Sequence, residues 1–171
     1  MLVTNSEWGM FNKHMRHLQF LALRPLLESK HAHKVYFFTL ATQSSGCKAA
    51  PVGREYQIYM HAKTVLVDDE FLLTGSMGLE RAGLTNDHEV GLGIHSCRFA
   101  ASYRRRLSAE YLQLPEDHPM LRNYSEGFAA WVRRAQSKSG RLRAYLPGPV
   151  HSWESIGAAA LHNRFEPEGR C

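Results

Sequence analysis

The stretch "HAKTVLVDDEFLLTGSMG", residues 61–78, decides the fold, because two short apolar runs in it are separated by only an acidic pair. The first run ends at Val67 and the second begins at Glu70, which leaves Asp68 and Asp69 between them. Apolar runs of this length, joined by two turn-forming residues, predict two strands and a tight hairpin. The domain is therefore expected to contain a β-sheet built around this hairpin.

Further strands are predicted on both sides of the hairpin. The segment "YQIYMHAKTVLV" is expected to form one strand that runs to Val67, and "KVYFFTLA" is short, aromatic and bounded by polar residues, as a buried strand would be. The predicted strands are residues 34–41, 56–67, 70–76 and 89–94.

Apolar residues at helical spacing precede and follow these strands. Before them, one face of a predicted helix holds Phe11, Met15, Leu18 and Ala22, and Pro25 is expected to break or kink this helix. After residue 98, two more faces repeat at this spacing: Phe99, Tyr103, Leu107 and Tyr111, then Leu121, Tyr124, Phe128, Trp131 and Ala135. Trp131 is expected to lie in the core. The order of elements predicts an α/β fold, with a mixed β-sheet flanked by helices.

The positive charge of the chain is concentrated after residue 97. The net charge is +5, and residues 98–150 hold ten Lys and Arg against four Asp and Glu, whereas residues 1–97 hold nine of each. The ten cations are Arg98, Arg104, Arg105, Arg106, Arg122, Arg133, Arg134, Lys138, Arg141 and Arg143. Such a surface favours an anionic partner, which is nucleic acid, a phosphoinositide or an acidic membrane. The alternative is that these side chains are solvated faces of helices.

The chain is expected to be cytoplasmic, with peripheral association at a membrane. Its first residues lack the pattern of a secretory signal, and its longest apolar runs are far shorter than the 18 or so residues that span a bilayer. The three cysteines, Cys47, Cys97 and Cys171, are far apart and odd in number, which predicts neither a disulfide framework nor a zinc site.

The polar groups of the opening stretch suit phosphate chemistry. Residues two apart in a strand share a face, so His61 and Lys63 are expected to point the same way. Lysine can neutralise non-bridging phosphate oxygens, while histidine can attack phosphorus or protonate a leaving oxygen. The pair therefore predicts a phosphoryl-binding site.

The remaining candidate residues surround this pair. Asp68 is expected to have an architectural role, accepting hydrogen bonds from amides of the turn. Gly75 allows close approach of the backbone, and Ser76 offers a hydroxyl to a phosphate oxygen. Glu89 opens the next strand, where its carboxylate is expected to accept the ring N–H of His61 and fix its tautomer.

These residues resemble the phospholipase D superfamily, whose signature is H-x-K-x4-D-x6-G-S-x-N. His61, Lys63, Asp68, Gly75 and Ser76 match it in place, and the flanks "IYMHAK", "LVDDE" and "NDHEVGLGI" are similar to the second of the two motifs in phospholipases D. The resemblance implies one phospholipase D-like lobe over residues 1–171, with a motif region at 34–114 and a helical, basic C-terminal region at 115–171.

The resemblance also implies roles for these residues. In that family two motifs face each other, and one histidine forms a phosphohistidine while the other protonates the leaving alcohol. By this likeness His61 is the general acid and base, Lys63 and Ser76 hold the phosphoryl oxygens with Gly75 beside them, and Glu89 orients His61. The reaction implied is phosphodiester hydrolysis or phosphatidyl transfer on a phospholipid such as phosphatidylcholine, with no metal or cofactor.

Two departures from the family pattern leave alternatives open. Gly78 stands where the family has asparagine, and no second H-x-K-x4-D occurs in the chain; His31 and His33, in "HAHK", lack the following residues. A second half-site is therefore expected from a homodimer mate or a missing N-terminal lobe. The other functions weighed are a single-motif endonuclease acting as a homodimer, with nucleic acid the less favoured partner, and a non-catalytic lobe that binds lipid or protein.

Overall fold

Strands and helices follow one another in the order of an α/β domain in the computed structural model, which describes residues 1–5, 12–43, 53, 55–78, 87–138 and 140–148. The strands are β1 (Leu2–Val3), β2 (Phe37–Gln43), β3 (Glu55–Ile58), β4 (Lys63–Val67), β5 (Phe71–Gly75), β6 (Gly91–His95) and β7 (Leu142–Ala144). The helices are α1 (Asn12–Leu27), α2 (Cys97–Leu112) and α3 (Tyr124–Ser137), with 3-10 turns at Ala32–Lys34 and Pro119–Leu121. The predicted α/β class with flanking helices is confirmed.

The described strands form two sheets. In the first, β2 is central: β1 pairs with it in parallel, and β3 and β7 pair with it antiparallel, which gives the expected mixed sheet. The second sheet is antiparallel, in the order β4-β5-β6. The predicted hairpin is the β4–β5 pair of this second sheet.

The prediction of one strand over residues 56–67 is wrong. β3 ends at Ile58 in the first sheet and β4 begins at Lys63 in the second, so residues 59–62 connect the two sheets. The side chain of Asn5 explains the interruption, because its Oδ1 accepts the Met60 N–H at 2.7 Å and its Nδ2 donates to the Met60 carbonyl at 2.9 Å. With both backbone groups occupied, Met60 cannot take part in a strand ladder.

The hairpin turn adopts the left-handed backbone that its sequence favours. Asp68 and Asp69 have φ angles of 51° and 54°, and the Glu70 N–H donates to the Val67 carbonyl at 3.0 Å. Aspartate tolerates this region better than most residues, and positive φ at both central residues matches the right-handed twist of the flanking strands.

The main core lies between the first sheet and the packed pair α2 and α3. Trp131 is buried there, as predicted, with edge-on contacts to Phe38 and Tyr111 at ring separations of 5.6 and 5.3 Å. Its indole N–H donates to the Ser108 hydroxyl at 3.2 Å, so its polar atom is satisfied. Burial also raises the pKa of Tyr111 to about 12, because the phenolate would lose its hydration.

Helix α1 continues through Pro25 to Leu27, so Pro25 does not end it as the sequence suggested it could. Only two helical residues follow the proline, and both Leu21 and Pro25 are exposed. The backbone carbonyl that loses its partner near a proline is therefore close to water, which lowers the cost of the interruption.

Two of the basic residues assigned to an exposed surface are instead buried. Arg104 bonds both carboxylate oxygens of Asp69, at 2.7 and 2.9 Å, and donates to the Leu121 carbonyl at 3.0 Å. Arg143 is bonded to Glu55 on β3, and this guanidinium lowers the pKa of the Glu55 carboxyl. These arginines hold structural elements together, so they are not part of the exposed basic surface that the sequence predicted.

Replacing Arg104 with methionine is expected to lower the free energy of unfolding by about 2 kcal/mol. The substitution leaves the Leu121 carbonyl without its donor and Asp69 without its cation, although the Asp69 side chain is 27% exposed and keeps part of its hydration. Urea denaturation measures the change.

The matched control for this prediction is Arg106→Met. Arg106 pairs with Glu116 at 3.3 Å, and both side chains are more than 60% exposed, so its loss is expected to cost less than about 0.5 kcal/mol. Equal losses in the two variants would contradict the structural role of Arg104.

Candidate functional site

The candidate site lies at the end of the second sheet where three strands begin or finish. Lys63 opens β4 and pairs with Gly75, which closes β5; Gly75 pairs in turn with Gly91, which opens β6. His61 precedes β4 by two residues and Ser76 follows β5 directly. The register of the hairpin therefore brings the H-x-K and G-S parts of the signature to the same end of the sheet, which is called the sheet edge below.

Close backbone contact explains why position 75 holds glycine. A Cβ atom at this position would lie 2.0 Å from the Val90 carbonyl oxygen, a separation that no side chain can adopt. The Ser76 N–H donates to the same oxygen at 2.9 Å. The expectation that Gly75 permits close approach of the backbone is met by the start of β6.

Ser76 and Glu89 are joined directly. The Ser76 hydroxyl donates to the Glu89 carboxylate and accepts the Val90 N–H at 3.1 Å. The pairing of β5 with β6 therefore brings Glu89, two residues before β6, next to Ser76. Its predicted role, orienting His61, stays a prediction, because in the structure its carboxylate is bonded to Ser76 and not to the imidazole.

His61 is exposed and lies between the two sheets, not within a strand as the sequence suggested. The shared face expected from strand alternation therefore does not apply to it, yet the Lys63 ammonium donates to the His61 carbonyl at 3.0 Å. The Tyr59 ring stacks beside the imidazole, with 6.0 Å between centroids and 26° between planes. His61 is thus contacted by Tyr59, at the start of the connection, and by Lys63, the first residue of β4.

Asp68 is not brought to this edge. It follows β4 at the opposite end, and five residues of extended chain place its Cα roughly 16 Å from that of Lys63. Its carboxylate is exposed, while that of Asp69 makes the ion pair with Arg104. Sequence reasoning missed Asp69; the acidic pair "DD" signalled only a turn.

A cavity of about 550 Å³ lies behind the site, between the two sheets and helices α2 and α3. Met60 and Ala62, on either side of His61, contribute to its wall, followed by Thr64 and Leu66 of β4. Tyr103 of α2 faces Thr64 with 3.4 Å between hydroxyl oxygens. The segment that carries His61 is thus bordered by open space, which sequence reasoning did not anticipate.

The described ranges contain no cluster of three or more His, Cys, Asp or Glu side chains that could hold a metal ion. No helix in these ranges has the length and apolar character needed to cross a bilayer. Cys97 has a free, exposed thiol, while Cys47 and Cys171 lie outside the described residues.

The Lys63 ammonium and the carboxylate-bound Ser76 hydroxyl lie at one end of the second sheet, with His61 two residues before Lys63. Side chains of these three types can bind a phosphoryl group and transfer a proton to or from it. The comparisons with known proteins agree with this chemistry. The family model described as cardiolipin synthase, PLD-like domain, matches residues 24–111, which are 88 of the 171 residues. The chain therefore belongs to the phospholipase D superfamily, as one phospholipase D-like lobe. No curated protein and no solved structure matches it.

Proposed function

We propose that this chain supplies one of two half-sites of a phospholipase D-type enzyme that acts on membrane phospholipids such as phosphatidylcholine. Family membership supports a phosphodiesterase-type function in general. The single observation that carries the proposal is the meeting of Lys63 with the Gly75–Ser76 pair at one sheet edge, two residues from His61. Phosphatidic acid is the product when water accepts the phosphatidyl group.

The proposed reaction has two steps. A histidine of the second half-site attacks phosphorus and forms a P–N bond, while the P–O bond to the headgroup breaks and His61 donates a proton to the leaving oxygen. His61 then removes a proton from water or an alcohol, which attacks phosphorus and releases the first histidine. Lys63 and Ser76 neutralise and bond the non-bridging oxygens in both steps.

The second half-site is proposed to come from a homodimer mate or from a separate N-terminal lobe. The sequence contains one H-x-K-x4-D motif, and the reaction above requires two histidines on opposite sides of phosphorus. Exposed His61 supports this requirement, since the group that faces it must approach from outside the lobe.

Peripheral binding to an anionic membrane in the cytoplasm is part of the proposal. With Arg104 and Arg143 buried in ion pairs, the exposed cations that remain after residue 97 include Arg98, Arg122, Arg133 and Lys138. Each cation close to an anionic surface contributes about 1 kcal/mol to binding.

One observation favours a second candidate, a non-catalytic lobe that binds lipid or protein. Gly78 occupies the position of the family asparagine and is buried, so it has no amide side chain to offer a phosphate. Removing one such donor can lower a rate on the order of 100-fold or more.

The test is release of choline from phosphatidylcholine vesicles in the presence of ethanol, combined with the mass of the protein in solution. We expect choline and phosphatidylethanol from a dimer, or from the monomer only after an N-terminal lobe is added. Vesicle binding without turnover in every assembly state would overturn the enzymatic proposal in favour of the non-catalytic lobe. DNA cleavage without choline release would favour the nuclease.

A further inference from the structure

A network of hydrogen-bonded polar side chains connects the first sheet with Met60, the residue before His61. Asn5 is at its centre, 3% exposed, with its side chain on both backbone groups of Met60. The Gln57 amide donates to Asn5 Oδ1 at 3.1 Å, and the Gln19 amide donates to the Asn5 carbonyl at 3.2 Å. Every polar atom of the Asn5 side chain that points at this segment is therefore engaged.

Further hydrogen bonds hold the Gln19 side chain in place. Its amide nitrogen also donates to the Thr4 hydroxyl at 2.7 Å, and its oxygen accepts the Tyr145 hydroxyl at 2.9 Å. Helix α1, the segment after β1 and the segment after β7 thus meet at Gln19, whose amide is bonded to the Asn5 carbonyl. A buried amide held this way has one orientation, and it imposes that orientation on the backbone it contacts.

The connection 59–62 depends on this contact, because it lies outside both sheets. Met60 takes its backbone hydrogen bonds from Asn5, where a strand residue would take them from a neighbouring strand. His61 follows Met60 directly, so the position of its Cα is set by the peptide plane that Asn5 holds.

We propose that Asn5 is a positioning residue for His61, acting through the backbone of Met60. The expected effect on turnover rests on the proposed function, whereas the expected effect on the backbone of residues 59–62 rests on geometry alone. Asn5 lies outside the residues 24–111 that match the family model, whereas Met60 and His61 lie within them.

Hydrogen exchange and ¹⁵N relaxation test the proposal without any assay of turnover. In the wild type, the Met60 amide is expected to be protected although it is in no strand. In Asn5→Ala, the amides of Met60, His61 and Ala62 are expected to gain motion and exchange at least ~10-fold faster. Asn5→Asp keeps the acceptor for the Met60 N–H, but it loses the donor to the Met60 carbonyl and places a buried carboxylate against that oxygen. The same amides are therefore expected to exchange faster than in the wild type.

The matched control is Asn123→Ala. Asn123 caps α3 through its own side-chain oxygen, which accepts the Ser125 and Glu126 N–H groups at 2.9 and 3.3 Å. Its removal is expected to lower the melting temperature while leaving the amides of residues 60–62 unchanged. If Asn5 only stabilised the fold, Asn5→Ala would likewise lower the melting temperature and leave the amides of residues 60–62 unchanged.

Kinetics of the active assembly then connect position to chemistry. Asn5→Ala is expected to lower kcat on the order of 10- to 100-fold with KM unchanged, since a misplacement of about 1 Å at the reacting group has that effect. An unprotected Met60 amide in the wild type, or unchanged 60–62 amides and kcat in Asn5→Ala, would overturn the proposal. If the wild type has no turnover, the proposed function fails, and the amide measurements still decide the role of Asn5. If Asn5→Ala does not fold, Asn5→Asp and the wild-type Met60 amide decide it.

Discussion

Asparagine at position 61 is expected to lower choline release by roughly 1,000-fold or more, because proton transfer by a positioned histidine typically contributes 100- to 10,000-fold and both steps use it. Asparagine approximates the shape of imidazole near the backbone but cannot exchange a proton at neutral pH. The His61 side chain is exposed and makes no hydrogen bond to the part of the chain that the structure describes, so the melting temperature and the solution mass should not change. A coupled choline assay on phosphatidylcholine vesicles measures the loss.

His31→Asn is the control for this prediction. His31 is also exposed, and it lies in "HAHK" at the start of the Ala32–Lys34 turn, without the aspartate and the Gly-Ser pair of the signature. Its replacement should leave choline release within twofold of the wild type. Equal activity of His61→Asn and His31→Asn would remove His61 from the reaction.

Alanine at position 75 is expected to destabilise the fold by about 3 kcal/mol or more, since overpacking against backbone cannot be relieved by a change of rotamer. The added methyl group would lie 2.0 Å from the Val90 carbonyl oxygen and 2.9 Å from the Gly91 Cα. β5 and β6 must separate to accept it, which would also break the Ser76–Val90 hydrogen bonds. Urea denaturation measures the stability, and phosphate-ester turnover should fall with it.

Gly91→Ala is the matched control, because Gly91 is the cross-strand partner of Gly75. Among the described residues, a Cβ atom there meets only the Leu73 Cδ1 atom at 3.5 Å, an ordinary contact, so the cost is expected to stay below about 1 kcal/mol. If both variants lost the same stability, the close approach at Gly75 would not be the reason for its glycine.

The hairpin and the helices could be predicted because their signals are local. Asp68 and Asp69 tolerate positive φ, and the apolar faces of α2 and α3 repeat within a few turns of one helix. Trp131 was placed in the core by the same spacing. Such patterns need no information from distant parts of the chain.

The connection between the sheets could not be predicted, because its cause lies 55 residues away in the sequence. The segment "YQIYMHAKTVLV" has strand-forming residues throughout, and the contact of Asn5 with Met60 occupies the backbone just after the end of the first strand. Arg104 is similar: nothing near it in sequence indicates that Asp69 will bury its charge. Both outcomes depend on long-range contacts, which override local propensity.

The sequence predicts which residues lie next to each other at the candidate site better than it predicts the hydrogen bonds that they make. Spacing alone placed Lys63, Gly75 and Ser76 together, since hairpin register follows from the length of the turn. The bond between Ser76 and Glu89 depends on how β6 pairs with β5, and the intervening residues of the sequence give no signal for that register.

The passage of the chain from one sheet to the other at residues 59–62 also bears on how long the site persists. His61 keeps its place only while β3 remains paired on one side and β4 on the other. Proteins open locally in cooperative units of unequal stability, and a residue shared by two units is released when either one opens. The lifetime of the assembled site is therefore limited by the faster-opening sheet, and mutations that strengthen the other sheet should leave that lifetime unchanged.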